Sequence, residues 1–356
     1  MKAPKKRVLF VFVLILFFSV PCGWAAGEQK QKYSASCFDV FDTVTQLIGF
    51  ADSEDAFRQT FGETVRLLTR YHQVFDGYNA YDGVNNLWFI NRHAASGPVR
   101  AEPELIGLLE WAADRQKDLP EGVNIAMGSV LSVWYEYRAA GKEVPPLSLL
   151  KEQATHTDLR NVVINPERGT VFFADPLLTL DLGAVAKGYA AEKTAEWLKT
   201  AMPSFLLSVG GNVLCGDRPL DGRARWGVSI QDPGDGKSAA PNSYMDVMYL
   251  TNVSAVTSGD YQRYYTVDGV RYHHIIDPKT LMPARYVRAV TVVTEDSGYA
   301  DLLSTALYLM PYEEARAFAD GLDGVEAYWV LNDGTVRYTD GMKNVLRSAG
   351  ASRACF

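Results

Sequence analysis

The sequence predicts an α+β fold: a single two-lobed body of mixed or antiparallel sheets with flanking helices and a ligand cleft, preceded by an export signal. Three observations lead there. Apolar residues recur at helical spacing through much of the first half and alternate at strand spacing through much of the second. Composition is that of a chain with a large core, 47% hydrophobic and 22% charged over 356 residues, which excludes disordered and collagen-like classes. Lys2, Lys5, Lys6 and Arg7 precede an apolar run over 8–20, and small residues follow around Gly23-Trp24-Ala25, as in a secretory signal.

Past the signal, Phe38-Asp39-Val40-Phe41-Asp42-Thr43-Val44 alternates as a strand, and 53–75 carries Phe57, Phe61, Val65, Leu68 and His72 at helical spacing. A loop rich in Gly, Asn, Asp and Tyr follows over 76–86, and its Tyr78 and Tyr81 fit no helix period. Helices are expected over 103–116, 127–140 and 146–154. The texture then changes: 162–164 and 171–173 flank Pro166-Glu167-Arg168-Gly169 as a hairpin, and 178–182 reads as a strand feeding a helix over 184–199. Strands are expected over 205–209, 226–230, 245–250 and 264–267, with Asp268-Gly269 turning into 270–276. The chain closes with a strand over 287–293, helices over 300–310 and 312–321, and a hairpin of 326–331 with 335–338. No repeat or long linker interrupts it, so 26–356 reads as one domain with its site in a cleft between the halves.

An apolar run of 13 residues is short of the roughly 20 that span a bilayer. Cleavage after Ala25 is the first expectation and an uncleaved amino-terminal membrane anchor the second. Cys22 has the depth of a lipid-modified cysteine, but Pro21 stands where such signals carry Gly or Ala. Either way the protein is expected to be exported, in the periplasm or on the extracytoplasmic face of the membrane. Losing four cations and no acids with the signal takes the formal charge from -7 to -11, and an acidic body argues against a nucleic-acid partner. Cys37, Cys215 and Cys355 would remain, scattered and odd in number, which argues against a zinc site and a disulfide scaffold.

Four segments carry residues suited to chemistry, each with a plain structural explanation beside it. Asp181 to Ala190 joins the expected strand to a helix amino-terminus, where free amides and the helix dipole favour an anion; it is neither a P-loop nor GxGxxG, and its small residues also suit close packing around a solvated Lys187. Ser208-Val209-Gly210-Gly211-Asn212 allows close backbone approach to a ligand or merely a tight turn. Asp301 and Thr305 sit at i, i+4, two hard oxygen ligands adequate for magnesium when a pyrophosphate supplies the rest, or else a helix-start charge and a back-bonded hydroxyl. In Tyr272-His273-His274-Ile275-Ile276-Asp277-Pro278, alternation sends the two histidines to opposite sides, so at most one enters a cleft, where a neutral imidazole would serve as a general base. No Gly-x-Ser-x-Gly, His-Glu-x-x-His or Cys/His pattern is present, which disfavours the common hydrolases.

Taken in order, these segments resemble one family, the ApbE-type FAD:protein FMN transferases. The likeness runs through 38–43, Phe75-Asp76-Gly77-Tyr78-Asn79, the stretch 122–129, Asp181 to Ala190, Val209-Gly210-Gly211-Asn212, Ser258-Gly259-Asp260-Tyr261, His274 to Pro278, and Ala300 to Thr305. The resemblance implies an α+β body with a FAD-binding cleft and an enzyme that takes FAD as substrate and uses Mg2+. It would attach FMN by a phosphoester to a threonine or serine hydroxyl of another exported protein and release AMP. The family holds its metal at positions matching the Ala184 carbonyl, Asp301 and Thr305, with Ser304 beside them. Positions matching Asp181 and Lys187 contact FAD, and those matching Phe41, Tyr78, Gly122, Val123, Asn124 and Ile275 line the flavin or adenine pocket, Tyr78 stacking on the isoalloxazine. His274 matches a histidine considered for activating the incoming hydroxyl, beside Asp301 in the catalytic pair.

The chain departs from the family where Met-Gly-Thr becomes Phe41-Asp42-Thr43, where Ala-Phe-Asp becomes Gly122-Val123-Asn124, and where Thr-Gly becomes Thr280-Leu281. Acceptors implied by the resemblance are exported or membrane-attached flavoproteins, such as redox subunits of Rnf and sodium-translocating NADH:quinone (Nqr) type pumps. Two other functions compete: a magnesium-dependent FAD pyrophosphatase, with water in place of the acceptor hydroxyl, and a periplasmic flavin-binding protein without turnover.

Overall fold

A computed structural model describes residues 30–120, 122–234 and 243–354. The expected signal or anchor over 1–25 lies outside the described residues. In chain order the strands are β1 (Gln31–Val40), β2 (Thr43–Ala51), β3 (Val99–Arg100), β4 (Val162–Asn165), β5 (Thr170–Phe173), β6 (Phe205–Val209), β7 (Asn212–Cys215), β8 (Trp226–Gln231), β9 (Tyr244–Leu250), β10 (Ser254–Gly259), β11 (Tyr264–Val267), β12 (Val270–His273), β13 (Ala289–Thr294), β14 (Glu326–Val330) and β15 (Val336–Tyr338). The helices are α1 (Glu54–Phe75), α2 (Leu87–His93), α3 (Pro103–Arg115), α4 (Gly128–Ala140), α5 (Leu147–Ala154), α6 (Ala186–Ala201), α7 (Ser297–Tyr308) and α8 (Tyr312–Asp320). Among the described residues no helix is long and apolar enough to cross a membrane.

The frame is an eight-stranded sheet in the order β1-β2-β6-β7-β10-β13-β14-β15, with every pairing antiparallel. Its first two strands come from the helix-rich start of the chain, so the halves of the sequence interleave in one sheet. β13 lies inside it, and all six of its residues are buried, as a strand covered on both faces requires. One face packs on α1, α6 and α7 around the main core, which includes Leu47, Phe57, Leu68, Leu198, Val292 and Leu303. The β8–β9 ribbon supplies a second core, burying Trp226, Val228 and Ile230 in alternation and meeting the sheet at Phe50. A third cluster joins α4 and α5 to the β11–β12 hairpin through Trp134, Leu150, Tyr265 and Ile276.

Local chemistry sets the boundaries. Ser53 caps α1 by accepting the Ala56 amide at 3.2 Å, with Glu54 and Asp55 in the first turn, where the dipole favours them. Three expectations are corrected. The stretch 38–44 is a hairpin: β1 ends at Val40, and Phe41 and Asp42 turn the chain with φ of 53° and 52°. The stretch 178–182 alternates its buried leucines as a strand would but joins no ladder; the Leu180 amide donates to Asn91 Oδ1 at 2.8 Å and the Asp181 amide to the Ile125 carbonyl at 2.8 Å. The strand expected over 270–276 ends at His273, because the chain turns inward to bury Ile275 and Ile276.

Candidate functional site

The centre of the site is the crossing of α6 and α7. At the amino-terminus of α6 the Ala186 amide donates to the Leu182 carbonyl at 2.8 Å and the Tyr189 amide to the Val185 carbonyl at 3.0 Å, whereas the Gly188 amide and the Ala184 carbonyl make no such bond with each other. The Gly188 amide donates instead to Asp301 Oδ2 of α7 at 2.8 Å. Lys187 Nζ stands 3.6 Å from the same oxygen. Asp301 is only 4% exposed, and a helix amino-terminus plus an ammonium group is what a buried carboxylate needs. Residue 188 has to be glycine here: a Cβ would lie 2.4 Å from the Ser297 carbonyl oxygen and 2.5 Å from Asp301 Cβ.

One turn on, Ser304 Oγ donates to the Asp301 carbonyl at 3.0 Å and Thr305 Oγ1 to the same carbonyl at 3.3 Å, both back-bonds of the helix. From β10, Ser258 Oγ reaches Ser304 Oγ at 2.8 Å and Thr305 Oγ1 at 3.3 Å. The Asp301 carboxylate, the Ser304 and Thr305 hydroxyls and the Ala184 carbonyl are all hard oxygens. Among the described residues no cluster of three or more His, Cys, Asp or Glu could hold a metal alone. Such a donor set suits a hard cation, magnesium among them, that would take most of its shell from substrate phosphate and water.

An aromatic rim stands beside Asp181, in the segment that leads into α6. Tyr78 Oη donates to Asp181 Oδ2 at 3.1 Å, and its ring stacks on Tyr135 with centroids 4.7 Å apart and planes at 28°. The Asp181 charge, then burial and that hydrogen bond, push the Tyr78 phenol well above its ordinary range, so it remains a donor at neutral pH. Arg138 Cζ lies 5.5 Å from the Tyr135 ring centroid, extending the stack. Phe41 is half-buried at the β1–β2 turn, its ring edge-on to His72 at 5.4 Å.

Other expected pocket residues are placed differently. Val123 and Ile275 belong to the main core. Asn124 is occupied at both ends of its side chain, Nδ2 donating to the Thr157 carbonyl at 2.8 Å and Oδ1 accepting the Ala126 amide at 2.9 Å. Gly122, Val123 and Asn124 still border a cavity of about 390 Å³ that also touches Gln116 and Lys279, and Ile275 does not line it. A larger cavity of about 930 Å³, among Phe50, Arg218, Tyr249 and Glu326, includes none of the expected site residues. Gly210 and Gly211, with φ of 58° and 91°, turn β6 into β7.

The adjacent histidines divide as alternation requires. His273 is 5% exposed; its Nδ1 accepts the Ile275 amide at 3.3 Å and its Nε2 proton goes to the Ala284 carbonyl at 2.7 Å. His274 places Nδ1 3.3 Å from the Arg263 carbonyl. A carbonyl only accepts, so Nδ1 carries the proton and Nε2 keeps its lone pair. Burial, then the charge of Arg263, a neighbouring His273 that would repel a second imidazolium, and the charges of Arg138 and Lys187 push the His274 imidazole down to about 3. It is neutral at pH 7, surrounded by cations that invite an anion.

Sequence reasoning singled out neither Tyr135 nor Arg138, which sit on α4 at i, i+3 beside buried Trp134. The signal the sequence offered was an aromatic and a cation one helical turn apart, on one face of α4.

The ApbE family model matches residues 40–329. A FAD:protein FMN transferase of Treponema pallidum (strain Nichols) is 36% identical over 276 residues, covering 72% of this chain and 74% of that protein. Another, from Vibrio cholerae serotype O1, is 30% identical over 279 residues, covering 77% and 79%. Among solved structures, the ApbE protein of Thermotoga maritima matches with a TM-score of 0.77 at 26% identity, over 88% of this chain and 98% of that one. The flavin transferase ApbE from Vibrio cholerae gives 0.73 at 22% identity over 89% and 100%, a likeness of fold.

Proposed function

The chain belongs to the ApbE family and is a FAD:protein FMN transferase, and we propose that it works with magnesium, joining FMN through a phosphoester to a threonine or serine hydroxyl of an exported acceptor. The observation that supports this reading most is the α6–α7 crossing, where a single buried carboxylate, Asp301, is fixed beside hydroxyl oxygens and Lys187. Asp301, Thr305, Ser304 and the Ala184 carbonyl would hold Mg2+, which supplies neutralisation of pyrophosphate charge as the bond to AMP breaks.

This chain's own residues do the rest. Tyr78 and Phe41 hold the flavin end, with Asp181 fixing the Tyr78 hydroxyl. Lys187, Arg138 and Arg263, whose charges already converge on His274, draw the diphosphate to the neutral ring. The acceptor oxygen attacks the flavin-side phosphorus; its proton passes to His274 Nε2 as the bond from phosphorus to the AMP oxygen breaks, and AMP leaves with that electron pair. The anionic substrate offsets the surrounding cations, so His274 becomes a stronger base when FAD is bound. Acceptor and enzyme meet on the extracytoplasmic face of the membrane, and the acceptor is exported or membrane-attached.

The test is to incubate the chain with FAD, Mg2+ and an exported flavoprotein acceptor and to read flavin fluorescence on the denatured acceptor. Asp301→Ala should cut labelling by about a hundred- to a thousandfold, the scale of losing one charge-stabilising group. Full labelling by that variant sinks the metal assignment. Release of FMN and AMP at the same rate with and without acceptor identifies a pyrophosphatase instead, and FAD binding with no product a carrier.

A further inference from the structure

Behind Phe41 and Tyr78 runs a chain of hydrogen bonds that none of the roles above uses. His72, in the last turn of α1, lies between the β1–β2 turn and the 76–86 loop. The Phe41 amide donates to His72 Nδ1 at 3.2 Å. An amide can only donate, so Nδ1 is unprotonated and the neutral ring carries its proton on Nε2. That proton faces the Tyr81 hydroxyl oxygen at 3.3 Å, and the Tyr81 hydroxyl donates onward to Asp76 Oδ2 at 2.9 Å. Burial and the Asp76 bond hold the Tyr81 phenol above its ordinary range, which keeps it a donor. Asp76 closes the chain: Oδ1 accepts the amides of Tyr78 at 2.6 Å and Asn79 at 3.1 Å, and Oδ2 accepts the Asn79 side chain at 2.9 Å.

Both ends of this chain need support. A two-residue turn with positive φ at both positions ordinarily takes Asn or Gly, and here it takes Phe41 and Asp42. A bulky residue in that region is strained and persists only where its surroundings fix it. At the other end, Tyr78 is 52% exposed and has little core to hold it. We propose that His72 is a positioning residue that sets the spacing of Phe41 and Tyr78, the two aromatic groups facing the flavin, through Tyr81 and Asp76. This rests on the flavin-transfer reading and assigns His72 to how tightly the flavin end is held, not to how fast phosphorus reacts. The isoalloxazine is separated from the breaking bond by the ribityl chain. Its contacts are alike in ground and transition states, and losing them raises KM and leaves kcat.

Three variants of the full chain test this. His72→Asn keeps an acceptor near the Nδ1 position, His72→Gln keeps a donor near the Nε2 position, and His72→Phe keeps neither. FAD affinity is read from flavin fluorescence quenching without acceptor, and KM and kcat from labelling. In His72→Phe the Kd and KM for FAD should rise about tenfold with kcat changed less than about threefold, and Asn and Gln should each recover part of the loss. A merely structural role lowers kcat by lowering the folded fraction and leaves KM alone; that result, or unchanged kinetics in His72→Phe, overturns the proposal. Should His72→Phe fail to fold, Tyr81→Phe breaks the same relay at its last donor and must raise KM in the same way. A wild-type chain that does not quench FAD overturns the transfer reading itself, whereas quenching by wild type and His72→Phe alike overturns only the positioning role.

Discussion

On the reading proposed above the α6–α7 crossing and the aromatic rim serve the same ligand, yet they are built by opposite means. At the crossing, Asp301 is buried, bonded to a backbone amide and an ammonium, and locked by a glycine whose Cβ has no room. At the rim, Tyr78 and Tyr135 stack in the open, 52% and 44% exposed, and Phe41 stands on a strained turn. A group that must fix an ion to a fraction of an ångström is set into the core. A wall for a planar ring has to stay accessible, so its position comes from hydrogen bonds behind it. The same mutation type should therefore cost stability at one region and substrate affinity at the other.

Gly188→Ala tests the first half of that contrast and should have the largest effect. Its Cβ would meet the Ser297 carbonyl and Asp301 Cβ, so α6 and α7 must part. Overpacking of this kind costs about 1–3 kcal/mol, read by urea unfolding, and labelling should fall with it as Asp301 moves. A neutral result in both measurements would mean that the crossing is not rigid. Tyr78→Ala tests the other half. Stacking on an aromatic face is worth about 1–3 kcal/mol by analogy with base stacking, so FAD affinity should drop roughly tenfold, read by fluorescence titration. Stability should change by no more than about 0.5 kcal/mol, as for an exposed site. A large loss of stability would show that the rim is core after all.

The sequence made these two regions legible to different depths. The i, i+4 pair Asp301 and Thr305 and the different surroundings of His273 and His274 followed from local periodicity: α7 carries the first pair, and His273 is buried at the end of β12 while His274, just past it, is half-buried. The Asp268-Gly269 turn likewise joins β11 to β12. What could not be read is the partner of each group. The Gly188 amide lies 113 positions before the carboxylate it caps, and Asn91 holds Leu180 across 89 positions, so no window of sequence contains either pair. The turn at Phe41 and Asp42 was hidden for another reason: Asp tolerates positive φ but Phe disfavours it, and the bond of the Phe41 amide to His72 overrides that propensity. Leu178, Leu180 and Leu182 alternate in burial as a strand does, but alternation reports burial, not hydrogen-bond partners.

The two histidines repeat the contrast in miniature, and the smallest expected effect at neutral pH lies there. His273 has both nitrogens bonded within the fold, whereas His274 is bonded through Nδ1 and is held neutral by burial and by nearby cations. With the folded imidazole of His274 pushed down to about 3 from an ordinary 6.5, the unfolded chain binds a proton between those values that the folded chain does not. Stability from this group is therefore undiminished above pH 6.5 and declines as pH falls towards 3, where the penalty stops growing. Carboxylates titrate in the same window, so the measurement is a difference between two chains. His274→Asn keeps a donor for the Arg263 carbonyl and cannot titrate. Its urea midpoint should match wild type near neutral pH and exceed it progressively on acidification. FAD should narrow that gap, because its diphosphate offsets the charges of Arg138, Lys187 and Arg263 that depress the imidazole. Parallel pH profiles without FAD would show that His274 is not held neutral by its surroundings. A gap that FAD leaves unchanged would place the diphosphate away from this ring and remove His274 from the path of the proton.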